Sequence, residues 1–213
     1  MCRILLVRSD HAFSIANQLQ PFAVLAKNSR EYQGHGWGCS WLDINSNQWQ
    51  HYHHIQPVWE DDLTQFSKTG LLLVHARSAF RDEGIVVENN MPFTDGESVF
   101  IFNGELRGVK IKSEGRIGAE KIYNYIRRMD NGDKLAALSK AVSIINRRTT
   151  YVRAMNIIMA DKSTQLVSSN YSEDPGYFQM QRSTEGGLLR VCSEVFAGDD
   201  HWQPIDNHTT FAV

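Results

Sequence analysis

Met1-Cys2-Arg3-Ile4-Leu5-Leu6-Val7-Arg8 opens the chain, and the rest of the sequence is organised around it. The apolar run Ile4-Leu5-Leu6-Val7 predicts a buried strand over residues 3–8, with a thiol at its start. Removal of Met1, which a small second side chain favours, makes Cys2 the N-terminal residue. Cys2 then carries a thiol nucleophile together with an α-amino group, a base of unperturbed pKa about 7.7 to 8.0. That is a complete nucleophile and base pair on a single residue.

Outward from this strand, Pro21 opens a segment with Phe22, Leu25 and Ala26 at helical spacing, predicting a short amphipathic helix ending near Ser29. Gly34-His35-Gly36-Trp37-Gly38 reads as a tight turn leading into a strand over 39–44. Residues 45–60 are polar and rich in His and Trp, as in a hairpin followed by a loop. Leu71-Leu72-Leu73-Val74 predicts a strand buried on both faces and ending at His75-Ala76-Arg77. A second such strand, Ser98-Val99-Phe100-Ile101-Phe102, is expected to end at Asn103-Gly104.

Two helices follow. Ala119, Ile122, Tyr123 and Ile126 share one face, as do Leu135, Leu138, Val142 and Ile145, with Asn131-Gly132-Asp133 as the turn between them. After residue 154 the pattern returns to strands, expected over 155–159, 165–167, 177–180, 188–192 and 209–213. Strands, then a helix pair, then strands predict an α+β fold with largely antiparallel sheets. No internal repeat, linker or low-complexity tract interrupts residues 1–213, which read as a single domain.

The composition narrows the function classes. Lys plus Arg number 22 against 24 Asp plus Glu, a formal charge of -2, so no basic face announces a nucleic-acid partner. No apolar stretch approaches the ~20 residues of a membrane span, and the four-residue opening run is too short for a signal-peptide core. The expected location is cytoplasmic. Three cysteines at wide spacing, Cys2, Cys39 and Cys192, argue against a disulfide framework or a zinc cage.

Three chain segments converge on acyl transfer. Cys2 supplies the nucleophile, and the Asn103 carboxamide with the Gly104 backbone N–H can supply a donor pair for an oxyanion. Arg77 offers a planar fork to a substrate carboxylate. The ordered set of Cys2, Gly36-Trp37-Gly38, His75-Ala76-Arg77 and Phe102-Asn103-Gly104 resembles the class II glutamine amidotransferases, members of the N-terminal nucleophile hydrolases. Arg190-Val191-Cys192-Ser193-Glu194 and Trp202-Gln203-Pro204 are similar to the closing strands of the stand-alone members.

That resemblance implies a four-layer αββα sandwich of two largely antiparallel sheets. It implies that Cys2 attacks the side-chain amide of glutamine, giving a γ-glutamyl thioester, ammonia and then a hydrolysed product. Asn103 and Gly104 match the family's oxyanion hole, and Arg77 its binder of the substrate α-carboxylate. No cofactor or metal is implied. Any ammonia passed onward would need a separate synthetase or other acceptor protein as partner.

The departures from the pattern bear on specificity. His35 stands where relatives usually carry Asp, and Asn90-Met91-Pro92 replaces Asn-x-His-Pro. Phe80 follows Arg77-Ser78-Ala79 where a small polar residue is common. Ile117-Gly118-Ala119-Glu120 takes the place of Thr-Asp-x-Glu, so the Asp that would bind the substrate α-ammonium is Gly118 here. The enzyme readings are therefore a glutamine amidotransferase or a stand-alone hydrolase of another γ-glutamyl amide. A third reading is a catalytically silent binding protein on the same fold.

Blander roles exist for each residue. Arg77 can be an ordinary ion-paired arginine, and Asn103-Gly104 is also a common type I′ hairpin turn. Cys39 and Cys192 fit buried, inert thiols. His51, His53 and His54 lack the accompanying carboxylate or cysteine of a metal site.

Overall fold

A computed structural model describes residues 1–198 and 201–213 of the chain. In chain order the elements are β1 (Arg3–Ser14), α1 (Ile15–Lys27), β2 (Trp37–Asp43), β3 (Trp49–His54), β4 (Lys68–Ala76), β5 (Phe93–Thr94) and β6 (Val99–Val109). There follow α2 (Gly118–Met129), α3 (Lys134–Arg147), β7 (Thr149–Ala160), β8 (Gln165–Ser169), α4 (Pro175–Phe178), β9 (Gln181–Ser183), β10 (Leu189–Cys192), β11 (Gln203–Pro204) and β12 (Thr209–Ala212). One sheet has the order β11-β9-β10-β1-β4-β2-β3 and the other β12-β8-β7-β6-β5. Every pairing between these strands is antiparallel.

The two-residue period of β1 and β4 builds the layers. Ile4, Leu6, Leu71 and Leu73 join the core shared with Ile101 and Ile158 of the second sheet. Their neighbours Leu5, Val7, Leu72 and Val74 face the other way and pack with Ile15, Leu19 and Phe22 of α1. Successive side chains of a strand point to opposite faces, so an unbroken apolar run serves two cores at once. On the far side of the second sheet, Ile122, Ile126, Leu138, Val142 and Ile145 cover it from α2 and α3, and Phe100 stacks on Tyr123 with ring centroids 5.0 Å apart. The result is the α+β, four-layer αββα sandwich expected from the sequence.

Several elements differ from expectation, among them β1, which runs on to Ser14 instead of stopping at Arg8. Helix α1 begins at Ile15 rather than Pro21, with Ser14 as N-cap accepting from the Asn17 N–H at 3.4 Å. Pro21 lies inside it, and lacks the N–H that would have bonded the Asn17 carbonyl. Strand β6 does not stop at Asn103-Gly104. It runs to Val109, pairing Asn103 with Asn156 and Gly104 with Met155, which overturns both the strand end and the hairpin-turn role at that dipeptide. Residues 175–178 form a helical turn instead of a strand, started by Pro175 behind a left-handed Asp174 (φ 50°).

The turn before β2 is fixed sterically. Gly36 adopts φ 104°, and a Cβ there would lie 2.2 Å from the Asn90 Nδ2. A Cβ on Gly38 would meet the Met91 carbonyl oxygen at 2.5 Å. Both positions admit only glycine, and both press β2 against the segment 90–91.

Candidate active site

Cys2 immediately precedes β1, where the N-terminus meets the strand end of β4 and the middle of β6. Its Sγ accepts from the Ser78 N–H at 3.5 Å and donates to the Ser78 carbonyl at 3.6 Å. The Cys2 carbonyl accepts from the Asn103 carboxamide nitrogen. Asn103 is buried, and its Oδ1 has no hydrogen-bond partner.

Met1 closes one side of this site. Its side chain is buried among Ala154, Tyr171, Tyr177 and Phe178, its ammonium pairs with Glu31 and its carbonyl accepts from Gln33. While Met1 is attached, the Cys2 nitrogen is a peptide amide and has no basicity.

Arg77 follows β4 directly and is 5% exposed. Its guanidinium donates to the Gly84 carbonyl at 2.8 Å and to Asn90 Oδ1 at 3.3 Å. Burial pulls Arg77 down from its ordinary value. His35 latches the same loop: its backbone N–H donates to the Arg77 carbonyl at 3.1 Å, and its Nδ1 accepts from the Ala79 N–H at 2.9 Å. Burial lowers the pKa of His35, which keeps Nδ1 available as an acceptor. His35 thus has a structural use in holding this loop.

Cys2, Arg77, Gly104 and Gly118 line one cleft of about 800 Å³. Asn103 lies against it through the Cys2 carbonyl. Gly104 is under a further constraint that the sequence does not reveal. A Cβ there would lie 2.3 Å from the Ala154 carbonyl oxygen and 2.4 Å from the Phe102 ring. Gly118, at the first turn of α2, is unconfined: a Cβ added there would have no atom within 4 Å. The helix N-cap beside it, Ile117, has no capping side chain.

Ser78 carries no mark in the sequence as a site residue, and Asn90 enters it only as part of the Asn90-Met91-Pro92 segment. Ser78 acts through its backbone, which any residue supplies, and Asn90 through a contact thirteen positions from Arg77. Elsewhere, burial raises the Cys39 thiol well above its ordinary value and pushes Cys192 up to about 12, so both stay protonated. His51 bonds Ser40 Oγ at 2.7 Å and His53 the Pro92 carbonyl at 3.0 Å. Among the described residues no group of three or more His, Cys, Asp or Glu is placed to hold a metal ion.

His75, two residues before Arg77, is fully buried with neither ring nitrogen hydrogen-bonded. Burial, followed by the charges of Arg77 and His53, lowers its pKa to about 3. The unfolded chain therefore takes up this proton first as pH falls through the ordinary value of 6.5. Stability should be intact above that pH and decline toward pH 3, by about 1.4 kcal/mol per unit or about 2 kcal/mol at pH 5. His75→Met should consequently raise the urea midpoint more at pH 5 than at pH 8. Equal gains at both would mean that this proton is not linked to folding.

The fold is that of glutamine amidotransferase class II domains. The chain superposes on a protein described as a glutamine aminotransferase class-II domain protein from Silicibacter pomeroyi, with TM-score 0.67 and 14% identity over 99% of this chain and 94% of that one. Glutamine phosphoribosylpyrophosphate amidotransferase from B. subtilis gives TM-score 0.70 at 14% identity, over 99% of this chain and 47% of that one. A predicted glutamine amidotransferase from Pseudomonas aeruginosa gives TM-score 0.60 at 13% identity, covering 99% and 96%. No family model and no curated protein sequence matches the chain. Among the described residues no helix is long and apolar enough to cross a membrane.

Proposed function

We propose that this chain is an amide hydrolase in which Cys2, freed of Met1, cleaves the side-chain amide of glutamine or a related γ-glutamyl compound. The observation that carries this reading is the position of the Cys2 sulfur. It sits on the Ser78 peptide, in a cleft shared with Gly104, with Arg77 on the adjoining loop. Two of the solved structures that share the fold are described as glutamine amidotransferases, which supports glutamine-type amides as the substrate class.

In this mechanism the α-amine takes the thiol proton and the sulfur attacks the amide carbon. The Ser78 N–H stabilises the thiolate. The developing oxyanion receives the Gly104 N–H and a hydrogen of the Asn103 carboxamide, whose nitrogen carries two. Collapse breaks the C–N bond, and the α-ammonium returns its proton to the departing ammonia or amine. Water, deprotonated by the same α-amine, then attacks the thioester, and the thiol leaves as the γ-carboxylate forms. Arg77 holds the substrate α-carboxylate. Ammonia destined for an acceptor would pass to a separate partner protein.

A second reading is favoured by the seating of Met1, buried and ion-paired with Glu31. If Met1 stays in place, the protein is a binding protein with no basic amine at the nucleophile. Intact mass separates the two. The enzyme reading expects loss of Met1 and one covalent adduct on Cys2 after exposure to a glutamine-like electrophile. A retained Met1 with no adduct overturns it.

A further inference from the structure

We propose that the substrate is acylated on its α-nitrogen, and that an apolar pocket beside Gly118 takes the acyl chain. This rests on the amide-hydrolase reading and names its substrate class. The cleft holds about 800 Å³, a volume that suits a drug-sized ligand and far exceeds the needs of one free amino acid. Its lining includes Phe102, Leu106, Ile111, Ile117 and Ile122. Phe102 and Ile122 are buried, and Leu106, Ile111 and Ile117 are partly buried hydrophobic residues packed on the main core.

The charges around the pocket disfavour a free α-ammonium. Gly118 provides no carboxylate. Glu31 and Glu105 are bound to Arg153 at 3.1 and 3.4 Å, Arg153 being the cation left to Glu31 once the Met1 ammonium is gone, and Glu120 is bound by Arg116 at 2.6 Å. Asp82 faces His35 at 3.5 Å and is largely in solvent. Arg116 and Lys121 add positive charge to the lining. Among the described cleft-lining carboxylates only Glu83, on the loop held by Arg77, has no ion pair in the structure. Acylation removes the ammonium charge and adds the apolar surface that these walls can cover. With the α-carboxylate on Arg77 and the side-chain amide at Cys2, the α-nitrogen is left to face Gly118 and the apolar walls.

The test is a series of glutamine, Nα-acetyl-, Nα-butanoyl- and Nα-hexanoyl-glutamine. Ammonia release is followed with the Met1-free wild type, and binding to Cys2→Ala is followed by calorimetry. Neutralising the unpaired ammonium should improve kcat/KM by roughly tenfold or more at the first step. Each added methylene that is fully covered should then bring about a three- to fourfold gain, mostly through KM. Leu106→Ser should compress that gradient. A flat or falling binding series overturns the proposal, as does a Glu83→Gln variant that raises KM for free glutamine while glutamine remains the best substrate. If affinity rises with acyl length yet the wild type hydrolyses nothing, the pocket stands and the amide-hydrolase reading fails.

Discussion

Cys2→Ala is expected to abolish amide hydrolysis and to leave the fold intact. The substitution deletes the sulfur that forms the thioester in the proposed mechanism. It costs little packing, because the sulfur is only partly buried and its contacts are to the Ser78 peptide. Turnover in the variant should fall to the uncatalysed background, with a melting temperature close to that of the wild type. Cys39→Ala and Cys192→Ala form the control pair. Both thiols are fully buried and held protonated, so each variant should lose some stability through a small cavity and keep the chemistry. Ammonia release by Cys2→Ala at the wild-type rate would end the nucleophile assignment.

The layers are legible in the sequence because each strand of the central pair carries a continuous apolar run. Ile4 to Val7 and Leu71 to Val74 can be buried only between two cores, and that is where they lie. The candidate site is legible to the extent that Cys2, Arg77 and Gly118, singled out by side-chain identity or by its absence, line one cleft. Strand β6 reads too short in the sequence because Glu105 and Arg107 interrupt its apolar pattern. Those residues lie where the strand emerges from the sandwich, with Glu105 held by Arg153 and Arg107. The segment 177–180 reads as a strand because Phe178-Gln179-Met180 alternates like one. The preceding Asp174-Pro175, a turn signal with proline set for the first helical position, is the better guide. Ser78 is invisible for another reason, since a backbone N–H leaves no mark on composition.

Asn103→Ala should lower kcat by about 10²- to 10³-fold, the usual cost of losing one oxyanion donor, with a smaller effect on KM. The structure gives this residue a second task, because its carboxamide also donates to the Cys2 carbonyl. The two roles separate by reaction. Alkylation of Cys2 by a haloacetamide develops no oxyanion, so it depends on how the thiol is placed and ionised but not on the hole. If Asn103 serves the oxyanion, Asn103→Ala should alkylate at close to the wild-type rate while amide hydrolysis collapses. If it only anchors Cys2, both rates should fall together. Gly104 cannot be probed as cleanly: a methyl there would collide with the Ala154 carbonyl and the Phe102 ring, disturbing the strand along with its N–H. A parallel fall in alkylation and hydrolysis in Asn103→Ala would therefore leave Gly104 as the sole oxyanion donor in the proposed site and make Asn103 a positioning residue.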